Sequence, residues 1–286
     1  MAKQLLIYDR VVPISSDTHK DWSVKTTDSY EFAKSLNSVP LLAAEFLASA
    51  QDYAIVFAAS EDSVFPAVLL GFEDGANLCV DASGSWIGGY IPAFLRRYPF
   101  VFAEDVAEEA GKFTLCIDEE YPGLNQEGRG ERLFDSEGNR TQYLQTMLTF
   151  VTQFQAQFSR TKQFCDKLNA LNLLDPAQAQ FTTADGRTGT LGGFKTIVRD
   201  RLKAISDKDL KEMFSTDELE LCYAHLHSLQ NINRLGSKTP TVAPGMSAPL
   251  EIKAQGDDAA QDADVDATPA SDEIDLASKP AKKTKH

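Results

Sequence analysis

The sequence predicts an α+β fold: a β-rich N-terminal half packed on a long central helix, followed by a C-terminal β-hairpin and helix. Three observations carry this. Up to about residue 135, short β-branched and aromatic runs alternate with turn residues, the pattern of strands and their connections. From Thr141 onward, apolar residues recur every three or four positions, the mark of one buried helical stripe. Beyond Gly236 there is no Phe, Tyr or Trp, so the folded body ends there.

Taken in order, residues 5–12 read as a strand stopped by Pro13. Pro40 suits the first turn of a helix over 41–50, where its missing N–H costs nothing. Residues 53–59, 65–72 and 78–80 read as strands, bounded by the turn residues of 60–63, Asp74-Gly75 and 83–85. Residues 92–98 predict one or two helical turns closed by Pro99, and 113–117 another strand. The stripe Tyr143, Met147, Phe150, Val151, Phe154, Phe158, Cys165, Leu168 and Leu171 predicts a helix about 45 Å long. That is roughly the diameter of a globule of this size, so the helix should be its spine. Residues 178–183 and 188–198 flank Asp185-Gly186 as a hairpin. Ser215 to Glu218 reads as a capping box opening a last helix, with Leu219, Cys222, Leu226 and Leu229 inward and Gly236 as its stop. The organisation is one globular domain over 1–236, β-rich over 1–135 and helical spine plus hairpin over 136–236. Residues 237–286, rich in Ala, Pro, Asp and Lys, read as a disordered charged tail that folding does not need.

The formal net charge is −14, which excludes nucleic acid and anionic membranes as natural partners, since both need a positive field. No apolar run spans a bilayer, and the N-terminal apolar stretch is too short for a signal peptide, so a cytoplasmic location is expected. Cys79, Cys116, Cys165 and Cys222 form no C-x-x-C pair and fall on apolar strands and stripes; they read as small buried hydrophobes. His225 and His227 stand about 200° apart on a helix and cannot grip one ion from one face. No nucleophile elbow, phosphate loop or dinucleotide fingerprint occurs, and Gly128-Arg129-Gly130 reads as a loop. The acids at Glu104-Asp105, Glu108-Glu109 and Asp118-Glu119-Glu120 read as solvated faces. No cofactor, metal or catalytic set is therefore expected, and the chain reads as a binding protein. The alternative is an enzyme whose site is assembled from distant residues: His225 with carboxylates, or Arg96 and Arg97.

The segment 86–102 departs from this plainness. Arg96 and Arg97 sit within an aromatic, apolar run, and Trp86, Tyr90, Arg96, Arg97 and Tyr98 are the candidate binding residues. An arginine fork beside an aromatic wall suits a carboxylate or phosphate. The competing reading is an internal ion pair with a nearby acid, because a buried unpaired charge is strongly destabilising.

Five blocks follow one another in a specific order: 37–41, 53–58, the run from Tyr90 through Pro92, Phe94, Arg96, Arg97, Tyr98 and Pro99 to Val101, then 116–119, and 223–229. Together they resemble the SapC family, bacterial proteins named for an S-layer-associated gene, over essentially residues 1–236. The resemblance implies a role in surface-layer protein production or export. It equally implies a link to TonB-dependent receptors and tryptophan-halogenase-like flavoproteins, with a protein partner in either case. It implies no reaction and assigns no catalytic residue.

Overall fold

A computed structural model of the chain describes residues 7–60, 63–104, 113–183 and 186–236, together with the backbone of 252–254 and 273–274. Its centre is the antiparallel pair β4 (Ile55–Ser60) and β5 (Ser63–Leu69), in register from Ile55 opposite Val68 to Ser60 opposite Ser63. Successive residues of β4 enter different cores: Ile55 and Phe57 face one, Val56 and Ala58 the other. A run apolar on both faces is what a strand covered on both sides requires. β3 (Ser38–Pro40) pairs with β5 on one side. The hairpin β10 (Leu174–Thr182) and β11 (Thr188–Ile197) joins through β11 to β4.

Two smaller sheets complete the β-rich half. β1 (Val11–Pro13), β7 (Phe113–Asp118) and β6 (Phe100–Glu104) form one, in the order β1-β7-β6. β2 (Ser23–Val24) lies between β8 (Leu124–Asn125) and β9 (Glu131–Arg132) in the other. The short helices α1 (Ser16–His19) and α2 (Phe46–Ser49) lie in the connections. A third, α3 (Ala93–Arg96), precedes β6.

The spine is α4 (Gln142–Ala170), 29 residues and so about 44 Å long. Its N-cap Thr141 accepts the Leu144 N–H at 3.3 Å. Leu144 and Val151 enter a core with Val24, Phe100, Ile117 and Leu133. Phe154, Phe164, Cys165 and Leu168 enter the main core with Phe46 and Phe57, and Phe158 stacks on Phe65 at 4.5 Å. One helix thus ties the small sheets to the large one. After the hairpin come α5 (Arg199–Lys203), α6 (Asp207–Ser215), α7 (Glu218–Ser228) and α8 (Asn231–Gly236).

The differences from the sequence reading have physical causes. Residues 38–40 are strand, not the start of a helix: Pro40 sits in β3 at the margin of the sheet, where proline is tolerated. Residues 41–50 then break into a 3-10 turn (Ala43–Glu45) and α2, because Glu45 turns inward. Residues 78–80 form a strap, with only a single bridge between Val80 and Trp86. Pro13 lies within β1 opposite Cys116. The capping box at Ser215 does not form. Ser215 ends α6, and α7 starts behind Asp217, which has φ 61 and makes no side-chain cap. The unforeseen α6 carries the readable cap instead, Ser206 Oγ accepting the Asp209 N–H at 3.1 Å. Most of the tail lies outside the described residues, as does the acidic run after Glu104. Two tail segments are strands, β12 (Ile252–Ala254) and β13 (Glu273–Ile274).

All four cysteines are buried and unbridged, and burial pushes the Cys165 and Cys222 thiols up to about 12, with the charges of Asp166 and Glu218 adding to the effect. Phe154 joins the main core to the arginine described below. Phe154→Ala is therefore expected to lower stability by about 3–5 kcal/mol, read from the urea midpoint.

Candidate functional site: an arginine on an aromatic face

The site starts from Glu45, a lone acid in the apolar run 41–50. Its carboxylate is buried and accepts the Leu42 N–H at 3.0 Å, the Tyr90 hydroxyl at 2.8 Å and the Ala93 N–H at 2.7 Å. The first bond closes its own turn; the other two hold the start of α3. Between Trp86 and Tyr90 the chain passes close to neighbouring side chains. A Cβ on Gly88 would lie 2.1 Å from the Tyr53 hydroxyl and 2.7 Å from Trp86 Nε1, so a side chain there would displace this pair, and one on Gly89 would lie 2.0 Å from the Asp52 carboxylate, which would have to turn aside. Tyr53 donates to the Tyr90 carbonyl at 2.6 Å and accepts from Trp86 Nε1 at 3.2 Å.

α3 then sends its two arginines in different directions. The Arg96 guanidinium donates from Nε to the Ile91 carbonyl and from Nη2 to the Tyr90 hydroxyl, both at 3.0 Å. It lies 3.9 Å from the nearer Glu45 oxygen. Its carbon stands 5.5 Å from the Tyr90 ring centre and 5.6 Å from that of Phe150. Even so, 42% of the side chain is exposed. Partly buried rings continue the face: Tyr30 lies 5.5 Å from Trp86 and 5.8 Å from Phe32, and Phe32 stacks on Tyr98 at 4.3 Å. Ile87 adds an exposed apolar side chain. Burial, and next the Glu45 charge, push the Tyr90 hydroxyl up to about 12, so it stays a neutral donor near pH 7.

Arg97 is only 1% exposed and boxed by rings: Phe154 at 4.4 Å, Phe94 at 4.7 Å and Tyr8 at 5.7 Å. Desolvation lowers its pKa, opposed by Tyr8 beside it. Tyr98 divides its role. Its ring lies on Phe32, while its hydroxyl points to Asp118 Oδ2 at 3.3 Å. Asp118 is fully buried, not on a solvated face, and accepts the backbone N–H groups of Asp9, Arg10 and Glu120 at 2.9–3.1 Å. Its neighbour Glu119 pairs with Arg10 at 3.0 Å and lies 3.6 Å from buried His19.

Of the candidate residues, Trp86, Tyr90 and Arg96 share one accessible face, whereas Arg97 and the Tyr98 hydroxyl belong to the interior. Sequence reasoning missed Glu45, Phe150, Tyr30 and Phe32. Glu45 had a signal, an acid where the helix stripe wanted an apolar residue; the rings arrive from elements distant in sequence. His225 accepts the Ile197 N–H through Nε2 at 3.1 Å and packs on Phe57, and burial pushes it down to about 3. It is a neutral core acceptor, and the described contacts bring no carboxylate to it. His227 faces solvent beside Gln230. Among the described residues, no three His, Cys, Asp or Glu side chains are grouped so as to hold a metal ion, and no helix is long and apolar enough to cross a membrane.

Arg96 is thus held in place on an aromatic face, and among the described residues no nucleophile or base converges on it. The SapC family profile matches residues 14–235, and the chain belongs to the SapC family. No curated protein and no solved structure matches the chain.

His225 gives a pH test. Its folded value lies below the unfolded value of about 6.5, so unfolding takes up a proton and stability falls as pH drops through that value. Between pH 7.5 and 5.5 this contributes a loss of roughly 1–2 kcal/mol, and His225→Gln is expected to flatten the slope in urea unfolding.

Proposed function

We propose that this SapC-family chain is a cytoplasmic accessory protein that binds a protein partner through the Arg96 face. The reading serves the two settings that the family resemblance implies: surface (S-layer) protein production or export, and a TonB-dependent uptake system. Arg96 carries it. The Ile91 carbonyl and Tyr90 hydroxyl use Nε and one direction of Nη2, which supports the remaining donor edge as the contact for a partner carboxylate. Trp86, Tyr90 and Ile87 supply apolar and aromatic area beside it, the composition of an interface anchor. A preset guanidinium also loses little freedom on binding.

The test is affinity capture from the native host with wild type, Arg96→Ala and Arg97→Ala, with captured proteins identified by mass spectrometry. Loss of one charge-assisted pair should weaken capture by about 10- to 100-fold in Arg96→Ala, while its melting temperature stays near that of wild type. Arg97→Ala is expected to destabilise the fold by several kcal/mol, because it empties the ring-lined box. Equal capture by wild type and Arg96→Ala would remove the proposal.

A further inference from the structure

Among the described residues, the β10–β11 ribbon of the largest sheet leaves two stretches of backbone edge open within the body. β10 is the outermost body strand on this side of the sheet, and among the described residues β11 meets β4 only at Phe194 and Lys195, which leaves its stretch near Thr190 without a β4 partner. Pro176 within β10 carries no N–H and donates nothing to a neighbouring strand. The chain leaves the body beside this edge. A Cβ on Gly236 would lie 2.9 Å from the carbonyl oxygen of Thr182, the last residue of β10.

The tail beyond Gly236 has its own pattern. Its only Leu and Ile residues are Leu250, Ile252, Ile274 and Leu276, and each pair alternates with charge: Leu250-Glu251-Ile252-Lys253 and Glu273-Ile274-Asp275-Leu276. Alternation of period two is a strand signal in a segment otherwise poor in large apolar groups. These two segments meet the two open edges. Ile252–Ala254 runs antiparallel to β10, with Ala179 opposite Ile252 and Ala177 opposite Ala254. Glu273–Ile274 runs parallel to β11 at Thr190 and Leu191. The connection also fits. The tail departs at the Thr182 end, meets Ala179 first, and has residues 237–251 to cover a separation of about 10 Å along the strand.

We infer that the β10–β11 ribbon is a strand-docking surface whose occupant is this chain's own tail. Residues 252–254 close the β10 edge and 273–274 the β11 edge. Main-chain hydrogen bonds supply the attraction, and a bare edge that invites pairing with other chains is covered. The inference is independent of the Arg96 face and survives its failure.

Hydrogen exchange read by mass spectrometry on the full chain tests it. In wild type, amides of 252–254 are expected to exchange more slowly than those of 256–270; equal exchange overturns the inference. Lys253→Pro removes a backbone donor, whereas Lys253→Ala keeps it. The proline variant is expected to speed exchange in peptides over 177–182 by about tenfold, with β4 and β5 unchanged and the alanine variant like wild type. Ile274→Pro should act in the same way on 188–191. Unchanged protection in both proline variants overturns the docking, and protection that grows with protein concentration assigns the strand to a second copy and overturns occupancy by the chain's own tail.

Discussion

The Glu45 carboxylate is the contact on which the candidate face depends. A buried carboxylate is costly unless its oxygens receive hydrogen bonds, and here three donors reach it. One comes from its own turn and two from a segment more than forty residues away. The same group therefore ends the helical reading of 41–50 and fixes where α3 begins. Once the Ala93 N–H is held, the helical step of about 100° per residue sends Arg96 and Arg97 to different surroundings. Tyr90 repeats the logic outward: its hydroxyl donates to Glu45 and accepts from Arg96, so the exposed guanidinium is oriented by a chain of bonds rooted in the core.

Asp118 plays the corresponding part at the other end of the segment. It gathers the Asp9, Arg10 and Glu120 amides and the Tyr98 hydroxyl, which fastens β1 and the end of β7 to the residue after the arginines. Between the two carboxylates lies Arg97, packed on Phe94 and Phe154. Its planar cation tolerates ring faces better than a lysine would, because it is more weakly hydrated. α4 is the common wall, contributing Phe154 to Arg97 and Phe150 to Arg96. The spine thus touches both the buried and the exposed arginine, which joins the stability of the body to the shape of the face.

Much of the fold was legible because it rests on periodicity. The three-and-four spacing gave α4 almost to the residue, and the predicted hairpin is the β10–β11 pair, with Gly186 in its turn and Asp185 outside the described residues. What local pattern could not show was competition between elements. The 41–50 run has a helical composition, yet pairing of Ser38–Pro40 with β5 and the inward turn of Glu45 decide otherwise. α5 and α6 were missed because they are short and mostly polar, so packing holds them more than pattern announces them. For the site, the sequence singled out Trp86, Tyr90 and the arginine pair but treated the two arginines alike.

The sequence by itself determined the α+β class, the helical spine, the burial of four cysteines and the kinship to SapC. These follow from side-chain hydrophobicity and its spacing, which are properties of neighbouring residues. Only the tertiary structure decided which arginine reaches solvent, that Glu45 and Asp118 are interior acceptors, and that His225 is a neutral core group. Those outcomes depend on which distant donors and rings meet each side chain, and no local stretch of chain contains that information.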